Sequence, residues 1–437
     1  MSLEQAIEAA RRRRQRVLAA MGDGVMVLST APERVRNRDT HHPYRYDSYF
    51  HYLSAFPEPE AVLVLVAGDT PRQFLFCREK NEEREVWDGF RFGPEAAAAR
   101  FGFDEARPVA ELDERMSELL ADRPVLHYLL GDDPAWDGRV MGWLNAVRGK
   151  ARTGVTAPSR IVDARAMLDE MRLIKDAYEI ELMDRAAAVS AVAHRQAMAV
   201  CRPGLHEYEV EAELLRVFRA GGCAAPAYPP IVAGGAHACV LHYVANDQPL
   251  NAGDLLLIDA AGEFAGYAAD ITRTFPVSGR FEPAQRDAYQ LVLAAQAAAI
   301  GAVRPGNAWN APHEAALRLL TQGMVDLKLL AGDVDGLIER EAYKRFYMHR
   351  TGHWLGRDVH DAGEYKLNGQ WRPFVPGMTL TVEPGIYIRP ADDVPEALWN
   401  IGIRIEDDVL VTEAGCRVLT EAAPKTVTEI EELMRHG

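Results

Sequence analysis

The alternation of apolar and polar positions divides the chain into two parts with different organisation. In the first part, a helical stretch at 3–21 is followed by short apolar runs at 24–29, 61–66 and 73–77. These runs are too short and too rich in β-branched or aromatic residues to be helices, so they predict strands. The polar and aromatic segment 37–47 has no clear period and is expected to form a loop. Short strands that alternate with helices indicate an α/β domain.

The second part starts with helices and becomes rich in strands further along. Irregular sequence at 149–172 separates the two parts, and it predicts an N-terminal domain at 1–172 and a second domain at 173–437. Ala-rich helices are expected at about 175–200, 206–221 and 282–303. Apolar runs bounded by Gly or Pro predict strands at 254–259, 378–383 and 401–406. The predicted fold class is α/β (α+β), with the smaller α/β domain first.

Composition and charge narrow the range of partners. The 437 residues are 48% hydrophobic and 26% charged, as in ordinary globular proteins, and carry a formal net charge of -15. This charge disfavours binding to nucleic acid or anionic membrane, and no apolar window is long enough to span a bilayer. The five cysteines are scattered and form no C-x-x-C pair. We therefore expect a soluble cytoplasmic protein with buried thiols and with neither a nucleic-acid nor a membrane partner.

Carboxylates stand at the ends of three of the later apolar strands, at Asp259, Glu383 and Glu406. A buried charge costs several kcal/mol unless something compensates it, so each of these positions calls for a partner. Asp270 follows Asp259 across a predicted hairpin. It brings the number of candidate carboxylate ligands to four. Oxygen donors suit hard divalent cations.

The predicted hairpin between Asp259 and Asp270 brings the two aspartates together. If its centre falls between Phe264 and Ala265, the two are directly opposite, with Cβ atoms about 4.5 to 5.5 Å apart. Two cations held by bridging carboxylates fit that spacing. The alternative is a purely structural ion pair, in which an arginine neutralises one aspartate. Arg273 and Arg404 are the candidates for that role.

Three histidines lie close together at His349, His353 and His360. Gly352 and Gly356 interrupt the segment, which indicates a loop or bent strand and allows the backbone to approach a site closely. An imidazole is a good metal ligand, and a free imidazole nearby can donate a hydrogen bond to an oxyanion or carry a proton near neutral pH. A set of four carboxylates and one histidine favours Mn²⁺, although Zn²⁺ or Co²⁺ also fits it.

The motifs around these residues carry a resemblance to a known family. They read Asp270-Ile-Thr-Arg-Thr, Gly352-His-x-Leu-Gly, Val382-Glu-Pro-Gly and Gly402-Ile-Arg-Ile-Glu-Asp. The chain resembles the pita-bread metallopeptidases, and among them the aminopeptidase P (Xaa-Pro aminopeptidase) group, over nearly its whole length. The resemblance implies a C-terminal pita-bread catalytic domain with a curved, mainly antiparallel sheet. It also implies two metal ions, usually Mn²⁺, and a homo-oligomer, either a dimer or a tetramer.

The same resemblance implies a role for each site residue. The metal ligands would be Asp259, Asp270, His353, Glu383 and Glu406. The other catalytic residues would be His242, His360, His349, Arg404 and Tyr387, with Glu383 serving in both sets. Substrate contacts from the N-terminal domain would come from Asp39, Trp87 and Arg152, for each of which a loop anchor or a core aromatic is an equally good interpretation.

Four segments depart from the family pattern. Arg350 and Thr351 stand where the family often has Gly-Leu, and segment 364–372 is poorly matched. Ala260-Ala261 and Ala268-Ala269 also replace more Gly-rich versions. These departures concern the surroundings of the five expected metal ligands, which we call the cage. They therefore bear on substrate preference more than on metal binding.

The resulting hypothesis is an aminopeptidase that hydrolyses the N-terminal Xaa-Pro bond of peptides through a metal-bridging hydroxide. Glu383 would accept the proton of the water, and His360 or His242 would stabilise the oxyanion. A prolidase restricted to Xaa-Pro dipeptides shares the ligand set and is the alternative. A non-catalytic pita-bread binding protein, a methionine aminopeptidase and a creatinase fit the sequence less well.

Overall fold

The computed structural model describes residues 2–436, and the chain divides into two compact units between Asp169 and Glu170. The boundary expected from the sequence, after residue 172, lies three residues later. Within residues 2–436, no helix is long and apolar enough to cross a membrane. The five cysteines are free thiols, and four of them are buried.

The first unit is built on one mixed sheet. Its helices are α1 (Leu3–Met21), α2 (Ser48–Ser54), α3 (Glu82–Asp88), α4 (Gly93–Phe101), α5 (Leu112–Leu119), α6 (Pro134–Gly149) and α7 (Arg165–Leu173), the last of which runs past the division. Its strands are β1 (Gly24–Ser29), β2 (Val35–Asn37), β3 (Thr40–His41), β4 (Val62–Ala67), β5 (Arg72–Cys77), β6 (Glu105–Pro108), β7 (Val125–Tyr128) and β8 (Arg160–Asp163). The sheet order is β6-β5-β4-β1-β7-β8.

The apolar runs of the first part form the centre of this sheet, as predicted. All residues of β4 are buried, which explains why its sequence is continuously apolar rather than alternating. Strands β1, β4 and β5 pair antiparallel, and β5–β6, β1–β7 and β7–β8 pair parallel. The segment expected to be a loop contains the short exposed hairpin β2–β3, so that expectation was incomplete.

The second unit combines long helices with several small sheets. Its helices are α8 (Ala177–Val200), α9 (Glu207–Ala220), α10 (Pro283–Ala302), α11 (Ala311–Asp326), α12 (Val334–Glu339) and α13 (Val427–His436). Its strands are β9 (Ala225–Pro226), β10 (Ile231–Gly234), β11 (Leu255–Asp259), β12 (Gly262–Phe264), β13 (Tyr267–Ala268), β14 (Thr272–Pro276), β15 (Lys366–Leu367), β16 (Gln370–Trp371), β17 (Thr379–Val382), β18 (Gly385–Ile388), β19 (Ile401–Arg404), β20 (Asp407–Thr412) and β21 (Gly415–Val418).

The three predicted helices correspond to α8, α9 and α10. Helix α8 begins with a capping box, in which Asp176 accepts from the Glu179 backbone and the Glu179 side chain accepts from Asp176. Its many alanines permit close packing, and α8 lies against α9 while α10 lies against α11. Helices α11 and α12 were not predicted. One large apolar core joins these helices to the strands.

Every strand pair given for the second unit is antiparallel, as expected for the C-terminal domain. The sheets are β10-β11-β14, β13-β12-β9, β17-β20-β21, β18-β19 and β15-β16. The predicted carboxylate ligands lie at strand ends in three of these sheets, β10-β11-β14, β17-β20-β21 and β18-β19.

The first ladder has a register different from the predicted one. Asp259 lies opposite Thr272 rather than Asp270, because the turn of the hairpin is Ala265-Gly266, with Phe264 opposite Tyr267. Both turn residues have positive φ, 50° and 80°, as a two-residue type I′ turn requires. The shift of two residues keeps the side chains on the same face, so Asp259 and Asp270 become diagonal neighbours and not a direct pair.

A second ladder brings the two glutamates together. Val382 lies opposite Asp407, and Gly385 lies opposite Arg404. Both pairs belong to one register, so Glu383 and Glu406 face each other at the break between the strands. A proline follows Glu383 and interrupts the ladder at this point, as its missing N–H demands.

The turn conformation gives a first testable prediction. Ala265 holds a positive φ that costs an L-residue about 1 to 2 kcal/mol, whereas Asn tolerates it. We expect Ala265→Asn to raise the free energy of unfolding by about 0.5 to 1 kcal/mol in urea titrations. Gly266→Ala serves as the opposite control and should lower it. Equal stability of both variants and the wild type would contradict the turn assignment.

Candidate metal centre

His353 reaches the site on an irregular strand beside β17. Thr381 N donates to His353 O at 3.0 Å, and Glu383 N donates to Thr351 O at 2.8 Å. A Cβ at Gly352 would lie 2.1 Å from Thr381 O, so only glycine permits this approach. The segment is therefore a bent strand, as predicted, and it places His353 next to Glu383.

A tyrosine joins the two aspartates. Tyr228 Oη donates towards Oδ1 of Asp259 at 2.6 Å and towards Oδ1 of Asp270 at 2.5 Å. The backbone N of Asp270 donates to both carboxylate oxygens of Asp408, at 3.2 and 3.1 Å. These contacts fix the aspartates from the side chains and from the main chain.

The glutamates are held by threonines. Thr272 Oγ1 donates to Oε2 of Glu406 at 2.6 Å, and Thr381 Oγ1 donates to Oε1 of Glu383 at 3.4 Å. Glu406 N also donates to Thr272 O at 3.0 Å, which joins the two ladders. Each glutamate keeps one oxygen that is directed away from its threonine.

Burial gives these acids unusual pKa values. Burial and the neighbouring Asp270 raise the pKa of Glu406 well above its usual range, and burial raises the pKa of Asp270 and of Glu383. Burial alone would lower the pKa of His353, but Asp270 and Glu383 outweigh it and raise the pKa to about 9. The side chains around these carboxylates thus provide too little positive charge to keep all of them ionised at the same time.

The geometry at His353 fits a metal ligand. Its Nδ1 lies 3.0 Å from Trp354 O, which can only accept, so Nδ1 carries the hydrogen and Nε2 offers its lone pair. Nε2 lies 3.4 Å from Oδ2 of Asp270 and 3.7 Å from Oε1 of Glu383. Nε2 faces two carboxylates, so it carries a proton when no metal ion is bound, as the raised pKa indicates, and it can give up that proton to a metal ion between them. Ligand atoms of Asp270, His353 and Glu406 all lie within 4.8 Å of one another.

The alternative interpretation, a structural ion pair between an arginine and an aspartate, accounts for only one of the four acids. Arg404 Nη2 lies 2.7 Å from Oδ2 of Asp259, so this aspartate has the arginine partner that was considered. Arg273 bonds to Asp407 instead. Arg404 and His353 provide at most two positive charges for four carboxylates, so the donor set fits divalent cations.

The predicted catalytic residues His349, Tyr387 and Arg404 form a continuous hydrogen-bonded series. Arg404 Nη1 donates to Tyr387 Oη at 3.0 Å, and Tyr387 Oη lies 2.8 Å from His349 Nε2. His349 Nδ1 lies 2.7 Å from Arg350 O. Burial and the charge of Arg404 lower the pKa of His349 to about 3, so its ring is neutral. Burial raises the pKa of Tyr387 to about 12.

His360 and His242 lie on the exposed side of the cage. The His360 ring packs edge-on against His353, with centroids 4.3 Å apart. Partial burial, followed by the charges of His353 and His242, lowers the pKa of His360. Both are exposed, so a substrate has access to them.

A buried ion cluster anchors the loop of His360. Asp361 receives Arg172 Nη2 at 2.6 Å and Lys175 Nζ at 2.8 Å. Burial alone would raise the pKa of Asp361, but Lys175 and Arg172 lower it to about 2. Gly356 permits this arrangement, because a Cβ there would lie 2.2 Å from Oδ2 of Asp361.

The candidates Asp39, Trp87 and Arg152 lie in the first unit. All three are exposed. Trp87 is 81% exposed, so the core-aromatic interpretation is wrong for it. Their substrate contacts stay a prediction.

Sequence reasoning missed Tyr228, Thr272 and Asp408, which hold the ligands in place. Thr272 and Asp408 stand next to predicted motifs, so the strand periodicity could have placed them on the ligand face. Tyr228 stands in Ala227-Tyr-Pro-Pro, where no periodicity exists to indicate its direction.

Comparison with known proteins identifies the family. The family model "Metallopeptidase family M24" matches residues 181–413, and "Aminopeptidase P, N-terminal domain" matches residues 10–127. This chain belongs to metallopeptidase family M24. The predicted resemblance is confirmed, and this M24 member is a metal-dependent aminopeptidase, hence a metallo-exopeptidase.

Relatives of this M24 member match both of its units. It is 44% identical to an Xaa-Pro aminopeptidase of Haemophilus influenzae over 424 residues, covering 97% of this chain and 96% of that protein. Aminopeptidase PepP of Pseudomonas aeruginosa superposes with a TM-score of 0.97 at 51% identity and 98% coverage of each chain. Zinc-substituted aminopeptidase P of Escherichia coli, in complex with product, superposes with a TM-score of 0.96 at 41% identity and 98% coverage of each. The predicted two-domain pita-bread architecture and divalent metal binding are confirmed.

Tyr228 gives a test of the cage. Tyr228→Phe removes the hydroxyl that holds Asp259 and Asp270, and loss of such a supporting contact costs about 10- to 100-fold in metal affinity. We expect that loss in Mn²⁺ titration calorimetry. Tyr289→Phe is the matched control, because its buried hydroxyl donates to Lys425 O in the core. Equal metal affinity of Tyr228→Phe and wild type would contradict the assignment.

Asp361 gives a test of the loop anchor. Asp361→Asn removes the carboxylate facing two buried cations, which should destabilise the fold by about 3 to 5 kcal/mol at pH 7. Because the folded pKa is lowered to about 2, the stabilisation by Asp361 is present above the unfolded pKa of about 3.9 and disappears as the pH falls through 2. Chemical denaturation between pH 7 and pH 2 should therefore show the two proteins converging.

Asp358→Asn is the matched control for this prediction. Asp358 pairs with the same Arg172, but its side chain is 40% exposed. A surface pair contributes about 1 kcal/mol or less, so this variant should stay close to the wild type. A difference between Asp361→Asn and wild type that does not shrink at low pH would refute the ion cluster.

Proposed function

We propose that this protein is an Xaa-Pro aminopeptidase, which releases the N-terminal residue of peptides whose second residue is proline. One observation carries the proposal above the others. A group of potential metal ligands, Asp270, His353 and Glu406, with Asp259 and Glu383 as its proposed further members, occurs in one chain with an N-terminal domain of the aminopeptidase P type. Similarity to named Xaa-Pro aminopeptidases over both units supports the substrate.

We propose that the cage holds two divalent ions, most often Mn²⁺. Oxygen-rich donors suit Mn²⁺, and Zn²⁺ or Co²⁺ remain alternatives that the donor set accepts. The similarity to a zinc-substituted aminopeptidase P of Escherichia coli supports divalent metal binding and is compatible with Zn²⁺ as an alternative. When bound, the ions lower the pKa of water to near neutrality and polarise a carbonyl.

The residues around the cage supply proton transfer and orientation. Glu383 lies between His353 and His349, and its Oε2 is 3.7 Å from His349 Nδ1. In this position the carboxylate accepts the proton of the attacking water and passes it to the leaving nitrogen. Asp259, which already receives Arg404, binds the free α-amino group of the substrate.

The two exposed histidines stabilise negative charge on the scissile carbonyl oxygen. His360 is fixed by its contact with His353 and by the Asp361 anchor, so its ring is oriented before substrate arrives. His242 approaches from the loop that follows β10. Removing one such donor typically costs about 3 to 4 kcal/mol of transition-state stabilisation.

Proline recognition depends on shape. The imide of a proline lacks an N–H, so the ring must be recognised by packing rather than by a donated hydrogen bond. His349 offers a partly exposed ring, which the buried Tyr387 holds in place, with the two ring centroids 5.5 Å apart. The neutral state of His349 suits an apolar ring.

The remaining assignments follow the family. Asp39, Trp87 and Arg152 of the N-terminal domain contribute to substrate binding. The protein acts in the cytoplasm as a homo-oligomer, a dimer or a tetramer. A prolidase, which shares the ligand set, is the second candidate function.

A peptide-length assay separates the two candidates. We expect the Mn²⁺-loaded protein to cleave Xaa-Pro-Yaa and longer peptides, and we expect Asp270→Ala to lose at least about 10³-fold in kcat/KM because it removes a cage ligand. Asp287→Ala, at an exposed position on α10, is the control. Cleavage of dipeptides alone would overturn the aminopeptidase assignment. Retained activity in Asp270→Ala would overturn the metal cage.

A further inference from the structure

A cluster of two cations and one indole lies beside the predicted substrate-facing histidine. Arg350 Cζ lies 5.1 Å from the ring centroid of Trp371, and Lys366 Nζ lies 4.3 Å from it. We call Arg350, Lys366 and Trp371 the cationic cluster. Both cations are exposed, and the indole is half-buried.

The hairpin β15–β16 forms one side of the cluster. Lys366 lies opposite Trp371 across the pair, which places their side chains on one face. The turn residues Asn368 and Gly369 both have positive φ, 50° and 79°. This is a tight two-residue turn, so the hairpin holds Lys366 over the indole.

The charges of the cluster are available to a ligand. Within residues 2–436, neither Arg350 nor Lys366 forms an ion pair with a carboxylate. The whole chain carries a formal net charge of -15. Two neighbouring cations without a carboxylate partner together attract an anion.

Hydrogen bonds connect the cluster to the site. From Asp259 they run through Arg404, Tyr387 and His349 to the backbone O of Arg350. In the proposed function the α-amino group lies at Asp259 and the proline ring lies at His349. An extended peptide advances about 3.3 Å per residue, so the residues after the proline pass Arg350.

Both parts of the cluster depart from the family pattern. Arg350 stands where Gly is common, and Lys366 and Trp371 belong to the poorly matched segment 364–372. The structure shows that these two separate departures meet at one place.

We propose that the cationic cluster is a specificity subsite that binds a carboxylate of the peptide downstream of the proline. The carboxylate comes from an Asp or Glu side chain or from the C-terminus of a short peptide. This inference rests on the proposed function, because the direction of the peptide follows from it. The indole holds the two cations in place and packs against the aliphatic part of the bound side chain.

Matched peptides test the subsite. The wild type is assayed on pentapeptide amides that begin with Ala-Pro and carry Glu, Gln or Lys at the third or fourth position. Exposed charge pairs are weak, so two cations together should give about a two- to 30-fold preference in kcat/KM for Glu over Gln. Lys should be disfavoured. The preference should fall as salt increases from 0.05 to 0.5 M, as screening requires.

The variants are Arg350→Gly and Lys366→Gln, alone and combined. We expect the ratio of kcat/KM for the Glu peptide to kcat/KM for the Gln peptide to fall to about one in the double variant, because the ratio reports the charge preference separately from general losses in activity. Arg318→Gln, an exposed arginine of α11 that pairs with Asp335, is the control and should keep the preference. A tripeptide with a free C-terminal carboxylate, compared with its amide, distinguishes the two sources of the carboxylate.

The outcomes separate this inference from the proposed function. Equal kcat/KM for the Glu and Gln peptides would overturn the subsite, and so would a Glu preference that survives in the double variant. In either case, cleavage of the Gln peptide would still support the aminopeptidase. Failure to cleave any Ala-Pro peptide would overturn the proposed function itself. A preference for the free tripeptide over its amide that disappears in the double variant would support the subsite with a C-terminal carboxylate as its ligand.

Discussion

The crowding of negative charge in one buried space determines how the rest of this molecule is arranged. Asp259, Asp270, Glu383 and Glu406 converge there, and Arg404 and His353 provide the facing positive charge. Burial raises the pKa of Asp270, Glu383 and Glu406, so these acids call for compensating positive charge. Divalent cations would supply that charge.

Two antiparallel ladders supply the frame that this charge requires. Each ladder places carboxylates where regular pairing stops, and the bond from Glu406 N to Thr272 O joins them. The contacts of Tyr228, Thr272 and Asp408 then fix the carboxylates in orientation. Such supporting contacts reduce the reorganisation that metal binding needs. The predicted catalytic histidines His242, His349 and His360, by contrast, lie in loops outside the regular strands.

The sequence contained the ligand residues but not their exact arrangement in space. Charged residues on apolar strands are rare enough to be recognised without any structure, which explains why Asp259, Glu383 and Glu406 could be found. The register of the first ladder could not, because it depends on a turn in which Ala265 takes a positive φ that alanine seldom adopts. The meeting of Arg350 with Trp371 was equally hidden, since it joins segments whose proximity only the folded chain reveals.

The most direct test of this account is anomalous X-ray diffraction from crystals grown with Mn²⁺. The account predicts two manganese peaks enclosed by the side chains of Asp259, Asp270, His353, Glu383 and Glu406, with Nε2 of His353 directed at one of them. The absence of any peak, with Nε2 of His353 hydrogen-bonded to Asp270, would show that a proton and not a metal ion balances the buried charge.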